Sequence, residues 1–238
     1  MKRVIIIGAS SGIGREMALY YARGSNLVAV SGRRGELLKD LKECFPLHIS
    51  TFCFDVTASE NRDYLQQMKK VLGGLDLFIY NAGVGHPSKD LDEAMEISTT
   101  RTNVNGFVEL TTVVFNYFLQ QGFGQIALTT SVAALRGNSW SPAYSASKAF
   151  MSNYAEGLNM KAKRARKAIF ITDIKPGFIK TKLAKGHGQF WVTPIKKAAK
   201  QTVSAIEKKK RIAYITRRWW LIAQILKLLP FCVYRRIA

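Results

Sequence analysis

The sequence has few of the residues that bind metals or cross-link small domains. Its three cysteines, Cys44, Cys53 and Cys232, have neither metal-ligand nor disulfide spacing. The three histidines are scattered along the chain, so no metal site is expected. This pattern indicates incidental thiols in a reducing compartment, and we expect a cytoplasmic protein.

Long apolar runs, internal repeats, low-complexity tracts and linkers rich in proline or serine are also missing. The apolar stretch after Met1-Lys2-Arg3 is too short for a signal peptide, so none is expected. The apolar C-terminal segment is interrupted by Lys227 and Pro230 and is too short to cross a membrane. A chain of 238 residues without such features predicts a single domain with a large core.

Acidic residues are scarce in the last third of the chain. Residues 161–238 contain 21 Lys and Arg but only 2 Asp and Glu, whereas residues 1–160 contain 15 and 14. The excess is either a solvated surface or the mark of an anionic partner, such as a phospholipid surface, an acidic carrier protein or a phosphorylated substrate. Nucleic acid is not favoured, because no nucleic-acid-reading motif accompanies the charge.

Short apolar runs alternate with helical stretches. Lone strands separated by helices predict an α/β fold, a seven-stranded, doubly wound parallel sheet of the Rossmann type. The expected strands that the pattern identifies are residues 4–7, 27–30, 49–54, 75–80, 124–129 and 169–174.

A glycine-rich turn follows the first expected strand and precedes a helical pattern. Glycines allow backbone N–H groups to approach a pyrophosphate, and the helix N-terminus favours its negative charge. The order strand, turn and helix therefore predicts a dinucleotide site. Its expected members are Gly8, Ser10, Ser11, Gly12, Ile13 and Gly14.

The second expected strand lacks the carboxylate that would hold the adenosine ribose of NAD. Arg33 and Arg34 stand there instead. Guanidinium groups suit a 2′-phosphate through charge-assisted, bidentate hydrogen bonds. The sequence therefore favours NADP(H) as the cofactor, although two arginines of a basic protein are also explained as solvated charge.

Tyr144 and Lys148 are four residues apart, and Ser131 precedes the tyrosine by thirteen positions. Positions i and i+4 share a helix face, which places phenol and ammonium in the same space. A free tyrosine titrates near pH ~10, but a cation at ~4 Å favours the phenolate by about 4 kcal/mol at an effective dielectric of ~20. We therefore expect Lys148 to lower the pKa of Tyr144, which then acts as a general acid or base.

These motifs together resemble the short-chain dehydrogenase/reductase family, in its NADP-preferring, carbonyl-reductase type. The resemblance covers roughly residues 1–210 and implies a Rossmann-fold domain with a substrate lid at about residues 180–195. The motifs that carry it, in chain order, are the glycine loop, Asn81-Ala82-Gly83, Asn103, Ser131, Tyr144-x-x-x-Lys148 and Pro176-Gly177.

The resemblance implies a role for each matching residue. Tyr144 would protonate the substrate carbonyl, Lys148 would also hold the nicotinamide ribose, and Ser131 would hydrogen-bond the substrate oxygen. Asn103 would help to fix a water that leads to Lys148. The remaining implied contacts are Asp55 and Val56 at the adenine, Asn81, Ala82 and Gly83 beside the adenosine, and Pro176, Gly177, Ile179 and Thr181 near the nicotinamide.

The expected function is NADPH-dependent hydride transfer to a ketone or aldehyde, reversible from a secondary alcohol. The first alternative is reduction of a 3-oxoacyl group on an acidic carrier protein. The second is a non-catalytic NADPH-binding sensor or scaffold, which the complete catalytic set disfavours. Besides Ser131 and Tyr144, the substrate is expected to meet Val84, Trp140, Phe178, Phe190 and Trp191, whose bulk favours a lipophilic ketone.

The basic, apolar segment 211–238 is expected to be a C-terminal extension. Arg217-Arg218-Trp219-Trp220 opens it, and Arg235-Arg236 follows its apolar helical pattern. Tryptophans beside arginines suit the interface of an anionic membrane, which would make the enzyme peripherally membrane-associated. Packing on the enzyme or on a second subunit explains the same pattern, and the resemblance implies a homo-oligomer, a dimer or a tetramer.

Overall fold

The computed structural model describes residues 1–88, 90–181 and 190–236. Its core is one parallel sheet of seven strands in the order β3-β2-β1-β4-β5-β6-β7. The strands are β1 (Arg3–Ile7), β2 (Leu27–Gly32), β3 (Ile49–Cys53), β4 (Leu77–Tyr80), β5 (Phe123–Thr129), β6 (Ala168–Pro176) and β7 (Ile212–Ile215). The predicted doubly wound fold is confirmed.

Helices cover both faces of this sheet. Those before the catalytic region are α1 (Gly12–Arg23), α2 (Gly35–Cys44), α3 (Asn61–Leu72), α4 (Glu93–Thr100) and α5 (Gly106–Gln121). The later helices are α6 (Pro142–Arg164), α7 (Ile195–Glu207), α8 (Trp219–Leu228) and α9 (Phe231–Tyr234). Helices α1, α2 and α7 pack in one apolar core, and α3, α5 and α6 pack in the other.

The strands are mainly apolar because both faces of the sheet are covered. Residues Val4–Ile7 of β1 are fully buried, with alternate side chains entering the two cores. This is why a continuous apolar run, rather than an alternating one, identified the strand.

One strand was not identified in the sequence. β7 is only four residues long and pairs with the end of β6, from Asp173↔Ile212 to Pro176↔Ile215. Its half-buried pattern follows directly on the basic run that ends at Arg211, which hides the strand signal. The sheet therefore continues through Ile215, within the segment 211–238 that the sequence assigns to the C-terminal extension.

The functional region lies where the strand order reverses, between β1 and β4. In open parallel sheets, ligands bind outside the carboxyl ends of the strands at this point. Gly8 follows β1 and Asn81 follows β4, and the Asn81 side-chain amide donates a hydrogen bond of 2.8 Å to the Gly8 carbonyl. The topology thus joins the two motifs that the sequence separates by some seventy residues.

In the part of the chain that the structure describes, no helix combines the length and the apolar character needed to traverse a bilayer.

Candidate active site

The glycine loop is shaped by close backbone contacts. Gly8 and Gly12 have φ values of +85° and +64°, in the region that favours glycine. A Cβ on Gly8 would lie 2.5 Å from the Ala82 amide nitrogen, and one on Gly14 would overlap the Gly8 carbonyl oxygen. Helix α1 begins at Gly12, so its free N–H groups face the loop, and the cradle fits a pyrophosphate. Ile13 packs against the apolar core.

The two arginines after β2 have different partners. The Arg34 guanidinium donates to the Ser10 hydroxyl at 2.8 Å and to the Ser11 hydroxyl at 2.7 Å. The exposed Arg33 guanidinium instead lies 3.4 Å from the Asp55 carboxylate. Of the two arginines, Arg34 is the one joined to the glycine loop.

Asp55 and Val56 follow β3 at the carboxyl edge of the sheet. Burial opposes ionisation of Asp55, but hydrogen bonds from Thr57, together with the nearby Arg33, hold the pKa of this carboxyl below its usual value. A Cβ on Gly106 would overlap the Val56 carbonyl oxygen, so α5 is packed directly against this segment. Asp55 is therefore a fixed hydrogen-bond acceptor at this edge of the sheet.

The segment after β6 returns to the glycine loop. Pro176 ends β6, and Ile179 is buried and bridges to Thr193. The Thr181 methyl group lies 3.6 Å from the position that a Cβ on Gly12 would occupy. The segment from Pro176 through Gly177 and Ile179 to Thr181 thus runs from the end of β6 to the glycine loop. Residues 182–189 of the expected lid lie outside the described residues.

Tyr144 lies in the first turn of α6, after Pro142 at the helix start. Burial raises the pKa of the Tyr144 phenol, and a hydrogen bond with the Ser131 hydroxyl partly offsets this effect. Ser131 begins a 3₁₀ turn (Val132–Leu135), where its hydroxyl accepts a hydrogen bond of 3.0 Å from the Ala133 N–H. Serine and tyrosine hydroxyls therefore face one space.

Lys148 lies one turn further along α6 and is buried. Its ammonium donates to the Thr129 carbonyl at 2.9 Å and lies 5.8 Å from the centroid of the Tyr144 ring. Burial lowers the pKa of Lys148 to about 8, while the Asp173 charge acts to raise it. Lys148 is therefore only partly cationic at mildly alkaline pH.

The expected lowering of the Tyr144 pKa by Lys148 is wrong for this geometry. Two physical reasons account for the raised pKa: burial is the larger influence on the phenol, and the ammonium is directed at the Thr129 carbonyl. The ion–phenol distance assumed from helix periodicity ignored this competing acceptor.

Asn103 holds the Asn81–Val84 segment. It lies in a π-helical turn (Arg101–Asn105), a feature common at functional sites. Its amide exchanges hydrogen bonds with the Val84 backbone, of 2.9 Å from the N–H and 2.8 Å to the carbonyl, and donates to Ser147 at 3.0 Å. A Cβ on Gly83 would lie 3.2 Å from the Lys148 ammonium nitrogen, so this segment passes directly over Lys148.

Gly85 is a site residue that sequence reasoning missed. A Cβ there would lie 2.7 Å from Cδ2 and 3.0 Å from Cε2 of the Tyr144 ring. The backbone of the segment therefore packs against the face of the tyrosine. The only sequence signal is the glycine itself, two residues beyond Asn81-Ala82-Gly83.

We expect Gly85→Ala to reduce kcat by about ten- to a hundredfold while leaving NADPH affinity unchanged, because a displaced proton donor loses its reactive geometry. The matched control is Gly157→Ala on α6, where a Cβ would meet nothing within 4 Å. That helical change is expected to be neutral or to stabilise the fold by about 0.5–1 kcal/mol. Unchanged kcat in a folded Gly85→Ala enzyme would contradict the positioning role.

A buried charged network lies at the end of β6. Asp173 and Lys175 form an ion pair of 2.8 Å, and both are about 3% exposed. The other Asp173 oxygen accepts from the Thr130 hydroxyl at 2.6 Å, and Ser152 donates to Asp173 at 2.7 Å. The network was missed, although two charged residues at alternate positions of a buried strand are a usable signal.

The expected substrate residues fall into two groups. Val84 is held by Asn103, whereas the Trp140 side chain is 60% exposed. Trp140 takes no part in the aromatic cluster of the other group, which packs around Trp219 of α8. The cluster, with ring centroids 5.1–6.2 Å apart, consists of Phe178, Phe190, Trp191 and Trp219.

Within residues 1–88, 90–181 and 190–236, no group of three or more His, Cys, Asp or Glu side chains is arranged to hold a metal ion.

This chain is similar to known proteins in both sequence and structure. The sequence profile of the short chain dehydrogenase family matches residues 2–190. An uncharacterized oxidoreductase of Mycobacterium tuberculosis is 30% identical over 100% of this chain and 97% of its own length. A mouse 3-oxoacyl-[acyl-carrier-protein] reductase is 29% identical over 76% of each chain. The crystal structure of a short chain dehydrogenase from Burkholderia cenocepacia in complex with NADP superposes with a TM-score of 0.82 over 99% of this chain and 97% of that one, at 20% identity.

Proposed function

We propose that this chain, which belongs to the short chain dehydrogenase family, is an NADPH-dependent carbonyl reductase that also oxidises the corresponding secondary alcohols. The family is one of oxidoreductases that bind NAD(P)(H). The observation that carries the proposal is the placement of the Tyr144 and Ser131 hydroxyls in one space, with the Lys148 ammonium 5.8 Å from the centroid of the Tyr144 ring. Bound NADPH would supply the hydride.

Tyr144 would protonate the carbonyl oxygen as the hydride arrives at carbon. Its raised pKa keeps the phenol protonated at neutral pH, which suits it to the role of general acid in reduction. The Ser131 hydroxyl would donate to the same substrate oxygen and hold it within reach of the phenol. In the oxidative direction the same phenol must lose its proton first, so oxidation would be favoured at higher pH.

Lys148 and Asn103 would complete the cofactor side of the site. Lys148 is close enough to the Gly83 backbone to reach a nicotinamide ribose bound along it. Asn103 would fix this backbone and, through Ser147, the start of α6. A water between Asn103 and Lys148 remains part of the proposal.

We expect Arg34→Ala to weaken NADPH binding by about ten- to a hundredfold and to leave NADH affinity unchanged, because only NADPH carries the 2′-phosphate. Arg33→Ala is expected to have a smaller effect, since Arg33 is paired with Asp55. Titrations of the enzyme with each cofactor measure both constants. Arg23→Ala, at the far end of α1, serves as the control. An equal loss for NADH and NADPH would mean that Arg34 only holds Ser10 and Ser11.

The proposed substrate is a bulky or lipophilic ketone. The aromatic residues beyond Pro176-Gly177, Phe178, Phe190 and Trp191, favour apolar contact with it. A panel of soluble, aromatic and lipid-linked ketones, each assayed with NADPH and with NADH, tests the proposal. Faster turnover of small polar ketones than of every lipophilic one would contradict it.

The second candidate is reduction of 3-oxoacyl groups on an acidic carrier protein. The likeness to the mouse reductase and the basic last third of the chain favour it. The same panel, extended to acyl-carrier substrates, decides between the two. A non-catalytic NADPH sensor would bind cofactor and turn over none of these compounds.

The proposal also covers the domain organisation, the oligomeric state and a further partner of the enzyme. We propose one Rossmann domain that ends near Ile215, followed by the extension of α8 and α9, in a homo-oligomer. We propose an anionic membrane surface as its further partner.

A further inference from the structure

The C-terminal extension has two faces of different character. Towards the enzyme, Trp219 and Ala223 are 4% and 0% exposed. The opposite face is apolar and exposed to solvent. Its exposed members are Trp220 (51%), Leu221 (56%), Ile225 (56%), Leu228 (83%) and, in α9, Phe231 (70%) and Val233 (45%). A contiguous set of this kind marks an interaction surface rather than scattered surface residues.

The inner face is fixed at both ends. At the start of α8, Trp219 packs in the aromatic cluster, and Arg218 donates to the Trp191 carbonyl at 2.8 Å. At its end, Arg136 donates to the Leu229 carbonyl at 2.9 Å, and the Tyr234 hydroxyl donates to the Gly137 carbonyl at 2.5 Å. The extension thus connects the two segments that follow Ser131 and Gly177, so its outer face has a defined orientation.

The charge beside this face is positive. Of the two acidic residues after position 160, Asp173 is buried with Lys175, and Glu207 is paired with Lys2. Neither lies on the extension. Its exposed charged residues are Arg217, Arg218, Lys227, Arg235 and Arg236, at both ends and on the flank of the apolar face.

We propose that the outer face of α8 and α9 docks on the interface of an anionic phospholipid bilayer, with the apolar side chains inserted and the arginines at the headgroups. Tryptophan and leucine beside arginine match the layered chemistry of this interface. A second copy of the chain fits less well, because a symmetric contact through this face would bring the same arginines together.

The position of the extension determines which part of the enzyme faces the bilayer when it docks. Since its inner face packs on Phe178 and Trp191, the docked enzyme presents its substrate-side aromatics next to the bilayer. A lipophilic ketone then reaches the site from the membrane. This second step rests on the proposed function, whereas the docking itself does not.

The test is sedimentation of the full chain with vesicles of phosphatidylglycerol and phosphatidylcholine, and with phosphatidylcholine alone. We expect binding to the anionic vesicles only, weakening as salt rises. The triple variant Leu221→Ser/Ile225→Ser/Leu228→Ser should lower the partition coefficient at least about tenfold. Arg235→Gln/Arg236→Gln should lower it about fivefold per residue at low salt.

Two controls separate docking from loss of structure. Leu47→Ser removes an apolar side chain that is 89% exposed on another surface and should bind vesicles like the wild type. Every variant should keep its NADPH affinity and its turnover of a soluble ketone, so failure of docking and failure of the reductase proposal are distinguishable. Absence of vesicle binding by the full chain overturns the proposal. So does a triple variant that binds vesicles normally, or that only splits a dimer.

Discussion

Tyr144→Phe is expected to lower kcat for ketone reduction by about 10²–10⁴-fold, the contribution of a positioned general acid. The substitution removes one oxygen and leaves the ring packed against Gly85. NADPH affinity should therefore stay within error of the wild type. Steady-state kinetics on the best ketone of the panel, together with cofactor titration, measure the two quantities separately.

Tyr154→Phe is the matched control for this experiment. Tyr154 lies on the same helix, and its hydroxyl shares a hydrogen bond of 2.8 Å with Thr112, away from Ser131. Loss of this neutral bond should cost about 1 kcal/mol of stability and leave kcat unchanged. If the Tyr144→Phe enzyme reduces ketones at the wild-type rate, Tyr144 is not the proton donor and the proposed mechanism fails.

Asp173→Asn is expected to lower the free energy of unfolding by about 3–5 kcal/mol, because it leaves the Lys175 ammonium buried without its counter-ion. The variant should also change the pKa of Lys148. Asp173 acts to raise the pKa of Lys148, so its removal should lower that pKa below about 8. A reductase that needs the Lys148 cation then loses activity at a lower pH than the wild type. Denaturant unfolding and the pH profile of kcat/KM measure the two effects.

A double variant distinguishes the buried charge from a general defect in β6. Asp173→Asn/Lys175→Met removes both charges and should recover most of the lost stability. Glu156→Gln breaks the exposed pair with Arg211 and should cost about 0–1 kcal/mol. If the double variant is as unstable as Asp173→Asn, the hydrogen bonds of Asp173 to Thr130 and Ser152, rather than the ion pair, account for the loss.

The sequence was most informative where structure and chemistry are local. The glycine loop is defined by neighbours along the chain, and Tyr144 and Lys148 by one turn of helix. The sheet followed from apolar runs, because strands buried on both faces need no partner information to be identified. β7 was not predicted, because its four residues are too few for a recognisable strand pattern beside a basic run.

The remainder of the site depends on contacts between distant segments. The approach of Gly85 to the Tyr144 ring joins a loop after β4 with α6, and no spacing in the sequence encodes it. The pKa of Tyr144 is raised because the folded chain removes the phenol from water, an effect that helix periodicity does not reveal. The different hydrogen-bond partners of Arg33 and Arg34 likewise depend on where Asp55 and Ser10 lie in the folded chain.

The position of Trp219 makes its intrinsic fluorescence a probe of cofactor binding. Its indole is 4% exposed, whereas Trp140, Trp191 and Trp220 are 41–60% exposed, so we expect its fluorescence at the blue edge of the protein's emission. The ring lies directly over Gly177, where a side chain would overlap it. Reduced nicotinamide absorbs in the range of tryptophan emission, so energy transfer from Trp219 would report occupancy of that end of the groove without any label.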